Sequence, residues 1–203
     1  MFVETEAARQ IPLLLSRAQA GDADAFCSLC HPFEARLVRQ ATTICGDPAL
    51  AEDLAQDTLI EAWKSLRRYN ERCQFFTWLC AILLNRHRNF RRQKRPFAFS
   101  TLARADHDGA CALLTSLPDP GCAPDAMAQQ IERNLLLQQS IGKLPAKHRE
   151  VIHLRFFVDD SLEGIAAALN CSVGTVKSRL FNALEKLRVI HNFEGASGTD
   201  HAV

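Results

Sequence analysis

Between Pro96 and Asp125 the chain carries Pro96, Gly109, Pro118, Pro120, Gly121 and Pro124 among small and acidic residues, a composition that sustains neither a helix nor a strand. On either side the apolar residues recur at helical spacing, and no convincing alternation of a strand kind is found. The sequence therefore predicts an all-α protein of two small helical domains joined by a flexible linker. The first helical block runs from about Ala23 to Arg95, the second from about Ala128 to Ile190. Expected domain bounds are 1–95, linker 96–127, second domain 128–191 and a disordered tail 192–203.

Charge is segregated within the first block. From Asp47 to Glu61 every charged residue is acidic, and from Lys64 to Arg95 all are basic except Glu71. The net charge of +1 hides this separation, and local patches steer binding more than the total does. Two different partners are implied. Asp47 followed by Pro48 is a helix start, the aspartate capping free amides and the proline tolerated at the first helical position. On the wheel that follows, Ala51, Ala55, Leu59, Ala62 and Leu66 form one face, expected in the core. Opposite lie Asp53, Gln56, Asp57, Ile60, Glu61 and Lys64. An isoleucine among acids on an outer face points to protein docking, against the plainer reading of a solvated helix.

The basic half includes Phe75, Phe76 and Trp78, and aromatics set among Arg and Lys are what single-stranded nucleic acid requires. Thr77 is a candidate cap for the next helix, with Leu79, Leu83 and Phe90 on its inner side. Its other side collects Trp78, Ala81, Asn85, Arg88, Asn89 and Arg92, groups able to reach phosphates and base edges together. A core tryptophan and a basic end favoured by the helix dipole are the competing readings.

In the second block Asp160 with Glu163 resembles a capping box. A short helix, a turn at Asn170 and Cys171, and a helix capped by Ser172 follow. Val173, Val176, Leu180, Leu184 and Leu187 are its expected buried stripe, leaving Thr175, Lys177, Ser178, Arg179 and Asn182 outward to varying degrees. This is the helix-turn-helix arrangement, whose second helix enters a major groove by its N-terminal residues.

Cys27-Ser-Leu-Cys30-His31 has the spacing of haem attachment, but the N-terminus carries Glu4 and Glu6 in place of a basic export segment. A cytoplasmic protein with mostly reduced thiols is expected, with no cofactor and no metal. Thiol sensing by Cys27, Cys30 and His31, or by Cys111 and Cys122, is a minor alternative. No run of eighteen apolar residues exists, so no membrane span is expected. No hydrolytic or nucleotide-binding motif is present, so an enzyme is not expected.

Together the two blocks resemble the extracytoplasmic-function (ECF) class of bacterial RNA polymerase sigma factors. The matching strings are Ala51-Glu-Asp-Leu-Ala-Gln-Asp-Thr58 with Ala62-Trp63, Phe76-Thr-Trp-Leu79 with Asn85, and Leu144-Pro145 to Arg188 with Gly174-Thr-Val-Lys-Ser-Arg179. The resemblance implies that Asp53, Gln56, Asp57 and Ile60, with Glu61, dock on the β′ clamp helices of core RNA polymerase, the β flap being the second contact. It implies that the loop Asn70 to Phe75, including Arg72, holds a flipped base of the −10 element, an extrusion that costs a few kcal/mol of unstacking. Trp78, Asn85, Arg88, Asn89 and Arg92 would face the melted non-template strand. Ser172, Thr175, Lys177, Ser178, Arg179 and Phe181 would meet the −35 duplex, and an anti-sigma factor is an expected partner. Departures from the family pattern are Asp160 where glycine is frequent, Gly164 where a polar residue is common, Asn182 in place of a basic residue, and no glycine in Asn70 to Gln74. The rival readings are a stand-alone helix-turn-helix regulator and a cysteine-based sensor with DNA binding as its output.

Overall fold

A computed structural model describes residues 4–93 and 136–197, with side-chain surroundings described for 11–93 and 136–190. Every regular element among the described residues is helical: α1 (Glu4–Gln19), α2 (Ala23–Cys30), α3 (Glu34–Cys45), α4 (Pro48–Ser65), α5 (Phe75–Gln93), α6 (136–142), α7 (Ala146–Phe156), α8 (Leu162–Ala168) and α9 (Val173–Ser197). Cys111, Cys122 and the expected linker 96–127 lie outside the described residues. So do residues 198–203 of the expected tail, whereas 192–197, also expected to be disordered, continue α9 as helix.

The caps explain most boundaries. Asp22 accepts from the Ala25 amide to start α2. Asp47 accepts from the amides of Ala49 and Leu50 at 3.0 and 3.3 Å, ahead of Pro48, as the sequence predicts for α4. Gly46 ends α3 with φ 75°, a conformation that suits a residue without Cβ. Thr77 is not a cap: α5 already begins at Phe75, and Thr77 is fully buried within it. A further departure is α1, which extends the first block well ahead of Ala23. It is tied to the rest by the Gln19 side-chain amide, which donates to the carbonyls of Leu66 and Tyr69 at 3.3 and 3.1 Å.

Leu29, Leu37, Leu66, Leu79 and Leu83 are fully buried and make the centre of the first block. The face expected inward on α4 is inward: Ala51, Ala55, Ala62 and Leu66 are buried and Leu59 half-buried. The two blocks are not separate bodies, because Val151, Leu154, Val158, Ile165 and Val176 belong to the same continuous apolar core. A smaller core of Ile141, Leu144, Ile152 and Ala183 holds α6, α7 and α9 together.

The turn entering α8 differs from expectation. Ser161, not Asp160, is the cap, its Oγ accepting from the Gly164 amide at 2.9 Å. The left-handed residue is Asp159 (φ 63°), so the place that suits glycine is one residue earlier than expected. Asp160 is buried, with Oδ1 accepting from the Ser161 amide at 2.6 Å. A Cβ on Gly164 would lie 2.5 Å from that same oxygen. The two departures from the family pattern thus fit each other: the carboxylate of Asp160 occupies the space that a side chain at 164 would need. Gly164→Ala should destabilise the second block by about 1–3 kcal/mol, the ordinary cost of overpacking. Adding Asp160→Ala should recover part of the loss in urea unfolding, and no recovery would dissociate the two positions.

Two histidines are interior. Burial pushes the His153 imidazole down to about 4, stacked on Phe157 at 5.2 Å between ring centroids. Burial, aided by the positive charges of Arg149 and Arg91, lowers His87 to about 4. Both are depressed from 6.5, so on acidification the unfolded chain takes up these protons first. Stability contributed by the neutral rings should be complete above about pH 6.5 and lost as pH falls toward 4. Thermal midpoints across that window check this, and His153→Leu should flatten the slope.

Candidate polymerase and DNA interfaces

The outer face of α4 is as exposed as its pattern predicts. Asp53, Gln56 and Asp57 are exposed and Ile60 retains 53% of its surface, while Glu61 is half-buried. Trp63, absent from the expected docking set, extends this apolar patch: it is 37% exposed, packs on Phe26 at 5.1 Å, and stands one helical turn beyond Ile60. Its spacing from Ile60 was the available signal. Asp57 is held by Arg86 of α5 at 2.6 Å, a cross-helix ion pair exposed to solvent.

The loop ahead of α5 is shaped by local bonds. Asn70 accepts the Arg72 amide at 3.3 Å, Glu71 adopts φ 58°, and the Tyr69 hydroxyl donates to the Cys73 carbonyl at 2.7 Å. Asn70 and Arg72 are exposed here. Phe75 and Phe76, however, are 6% and 2% exposed. They pack on Phe33 and, for Phe75, on Tyr69 and Trp78. Their rings support the loop from beneath and are not presented for stacking. Trp78 is half-buried, 5.1 Å from the Tyr69 ring, so one edge of this aromatic cluster reaches the surface. Asn85, Asn89 and Arg92 are exposed on α5. Arg88 bridges Asn85 to the second block, donating to Asn85 Oδ1 at 2.7 Å and to Glu150 Oε1 at 2.9 Å.

On α9, Ser172 caps as expected, its Oγ accepting from the Thr175 amide at 3.1 Å. Lys177 and Ser178 are exposed, Thr175 and Arg179 are half-buried, and Phe181 is 66% exposed. The inward stripe is corrected at one place: Leu184 is 45% exposed and Ala183 is the fully buried residue. Helix phase explains it, since 176, 180, 183 and 187 keep the alternation of four- and three-residue steps. An outward cap, lysine and serine at the start of an exposed helix can reach a groove edge, phosphates first and bases next.

The cysteines are dispersed. Cys27 is exposed but Cys30 is buried, its thiol pushed up to about 12 by desolvation, and His31 faces Glu34 instead at 3.7 Å. Burial also raises Cys80 to about 12 and Cys73 to about 11. Such thiols resist ionisation and are poor nucleophiles and metal ligands. Among the described residues no group of three or more His, Cys, Asp and Glu side chains is placed to hold a metal ion.

The described residues form an all-helical protein whose second block carries a helix-turn-helix, α8 followed by α9. Residues 29–97 match the family model for sigma-70 region 2, and residues 140–189 the model for sigma-70, region 4. The chain is 30% identical to the ECF RNA polymerase sigma factor SigW of Bacillus subtilis, over 86% of this chain and 92% of that protein. It is also 30% identical to the RNA polymerase sigma-H factor of Pseudomonas aeruginosa, over 86% of this chain and 90% of that one. Among solved structures, CnrH in complex with the cytosolic domain of CnrY has a similar fold (TM-score 0.60, 24% identity, 90% of this chain and 97% of that chain). So does the sigma factor RpoE in complex with the anti-sigma factor NepR from Bartonella quintana (TM-score 0.54, 24% identity, 82% and 96%). The chain belongs to the ECF sigma factors of the sigma-70 family. It is an alternative sigma factor, a subunit that binds core RNA polymerase and directs promoter-specific transcription initiation. No helix among the described residues is long and apolar enough to cross a membrane.

Proposed function

We propose that the two faces divide the work of initiation. The α4 surface of Asp53, Gln56, Asp57, Ile60 and Glu61, extended by Trp63, takes the β′ clamp helices. Asn70, Arg72, Trp78, Asn85, Arg88, Asn89 and Arg92 hold the melted −10 strand, with Phe75 acting from beneath the loop. Ser172, Thr175, Lys177, Ser178, Arg179 and Phe181 read the −35 duplex. The observation that carries this is the placement of an exposed acidic and apolar helix face beside an exposed Asn and Arg face, with a capped, polar helix start in the second block. The domains are assigned as 1–95 and 128–191, with 96–127 between them as linker. The protein acts in the cytoplasm without catalysing a reaction of its own. An anti-sigma partner is part of the proposal, by analogy with the CnrY and NepR complexes.

Run-off transcription with purified core polymerase on a promoter library tests the whole. Within it, Lys177→Ala with Ser178→Ala should weaken −35 recognition by about 1–3 kcal/mol if a base-edge contact is lost. If promoters with a scrambled −35 element lose equal activity with mutant and wild type, the assignment of α9 is overturned.

A further inference from the structure

We propose that the cleft between α5 and the helix-turn-helix is a binding site for a free nucleoside polyphosphate, its base against Trp78 and its phosphates toward Lys147 and Arg179. The cleft measures about 350 Å³, within the size range of small-molecule sites. Trp78 and Ile82 from α5 and Leu169 from the end of α8 supply its apolar lining, an aromatic and aliphatic surface suited to a purine ring. The Tyr69 and Phe75 rings hold Trp78 at 5.1 and 5.7 Å, so its position is set before any ligand arrives. Asn85 and Asn170 add side-chain amides to the lining. The Asn85 oxygen already accepts from Arg88, which leaves its nitrogen to donate.

The charges of the lining decide what else is bound. Arg88 donates to Glu150 at 2.9 Å, and that carboxylate is only 9% exposed, so these two charges cancel. Lys147 and Arg179 also line the cleft and form no ion pair among the described residues. Burial first, then the positive charges of Lys186 and Arg179, hold the His148 imidazole below its ordinary value, as expected beside cations left uncompensated. Two free cations next to a pre-placed aromatic ring suit a polyphosphate joined to a base better than either part alone. The cleft is not the track of a strand, because Asn89 and Arg92 do not line it and its volume suits a single nucleotide. The site stands apart from the promoter assignments, and only its consequence rests on them. Arg88 and Arg179 are assigned to the −10 strand and the −35 duplex, so a bound nucleotide competes with both.

The experiment uses the full chain carrying Trp63→Phe, which leaves Trp78 as its single tryptophan. Titration calorimetry and Trp78 fluorescence follow the binding of ADP, GDP, adenosine, guanosine, inorganic pyrophosphate and a mixed-sequence single-stranded DNA. A diphosphate should bind with quenching of Trp78, the nucleosides and pyrophosphate at least about tenfold more weakly, the scale of one lost charge-assisted contact. Lys147→Glu, at an exposed position, should weaken the diphosphate by about tenfold or more on the same grounds. Asn170 has φ 49°, so Asn170→Gly keeps the turn while removing the amide, and should weaken binding several-fold. Arg67→Glu, exposed and outside the cleft, should change nothing. Failure of both diphosphates to bind at millimolar concentration would overturn the site. Pyrophosphate binding as tightly as ADP and GDP would reduce it to a phosphate patch and overturn the nucleotide. Affinity that survives both Lys147→Glu and Asn170→Gly would put the ligand elsewhere. Binding of the DNA without binding of either nucleotide would make the cleft part of the strand face, sinking the proposal while leaving the reading of α5 intact.

Discussion

Replacing Asp53 and Asp57 together by arginine is expected to abolish binding to core polymerase, by more than about a hundredfold, because like charges set against each other in an interface cost several kcal/mol. Both side chains are exposed on α4, so the fold should be retained. One complication is the ion pair from Asp57 to Arg86 at 2.6 Å, which the substitution converts into a repulsion. Exposed pairs of this kind are worth only about 0–1 kcal/mol, too little to unfold a helix whose inner face is buried. Arg86→Ala is the control, and it should leave core affinity within a few-fold of wild type. Core binding followed by fluorescence anisotropy decides the matter: normal affinity in the double mutant would remove α4 as the docking helix.

Asn85→Ala combined with Asn89→Ala should reduce promoter opening more than it reduces formation of the closed complex. Both residues are exposed on α5 and sit beyond the aromatic cluster of Tyr69, Phe75 and Trp78. Asn85→Ala removes one acceptor of Arg88, at 2.7 Å, but unlike removal of the arginine it leaves the ion pair to Glu150 in place. Losing a base-edge contact costs about 1–3 kcal/mol, so a pair of them should lower permanganate reactivity of the −10 region by about tenfold or more. Equal losses in melting and in duplex binding would place the two asparagines elsewhere.

Much of the architecture was legible because it depends on local chemistry. Asp47-Pro48 and Ser172 mark helix starts whatever the chain does elsewhere, and the acidic face of α4 follows from helix phase alone. The failures arose where tertiary packing overrides local signals. Thr77 has the chemistry of a cap, yet the aromatic pair before it is drawn into the core and takes the helix start with it. Phe75 and Phe76 have the composition of stacking residues, but pack against Phe33. Asp160 looked like a cap and is a buried group whose carboxylate lies over Gly164, a relation between side-chain volumes that no spacing rule contains. The contact of α3 and α5 with the turn after α7 joins residues such as Arg36 and Val158 across the intervening segment, and no periodicity reports it.

The grip of Gln19 on the carbonyls of Leu66 and Tyr69 bears on how this protein can be shortened. The matched region 2 begins at residue 29, after both α1 and Gln19. A fragment cut to that boundary keeps every motif by which the family is recognised, yet removes the Gln19 amide from two backbone carbonyls ahead of the Asn70–Phe75 loop, leaving Leu66 only its bond from the Tyr69 amide. The unit that similarity delimits is therefore shorter than the unit that is mechanically complete. A fusion tag that unwinds the end of α1 would act at the same joint, loosening the floor of the loop from outside the matched segment.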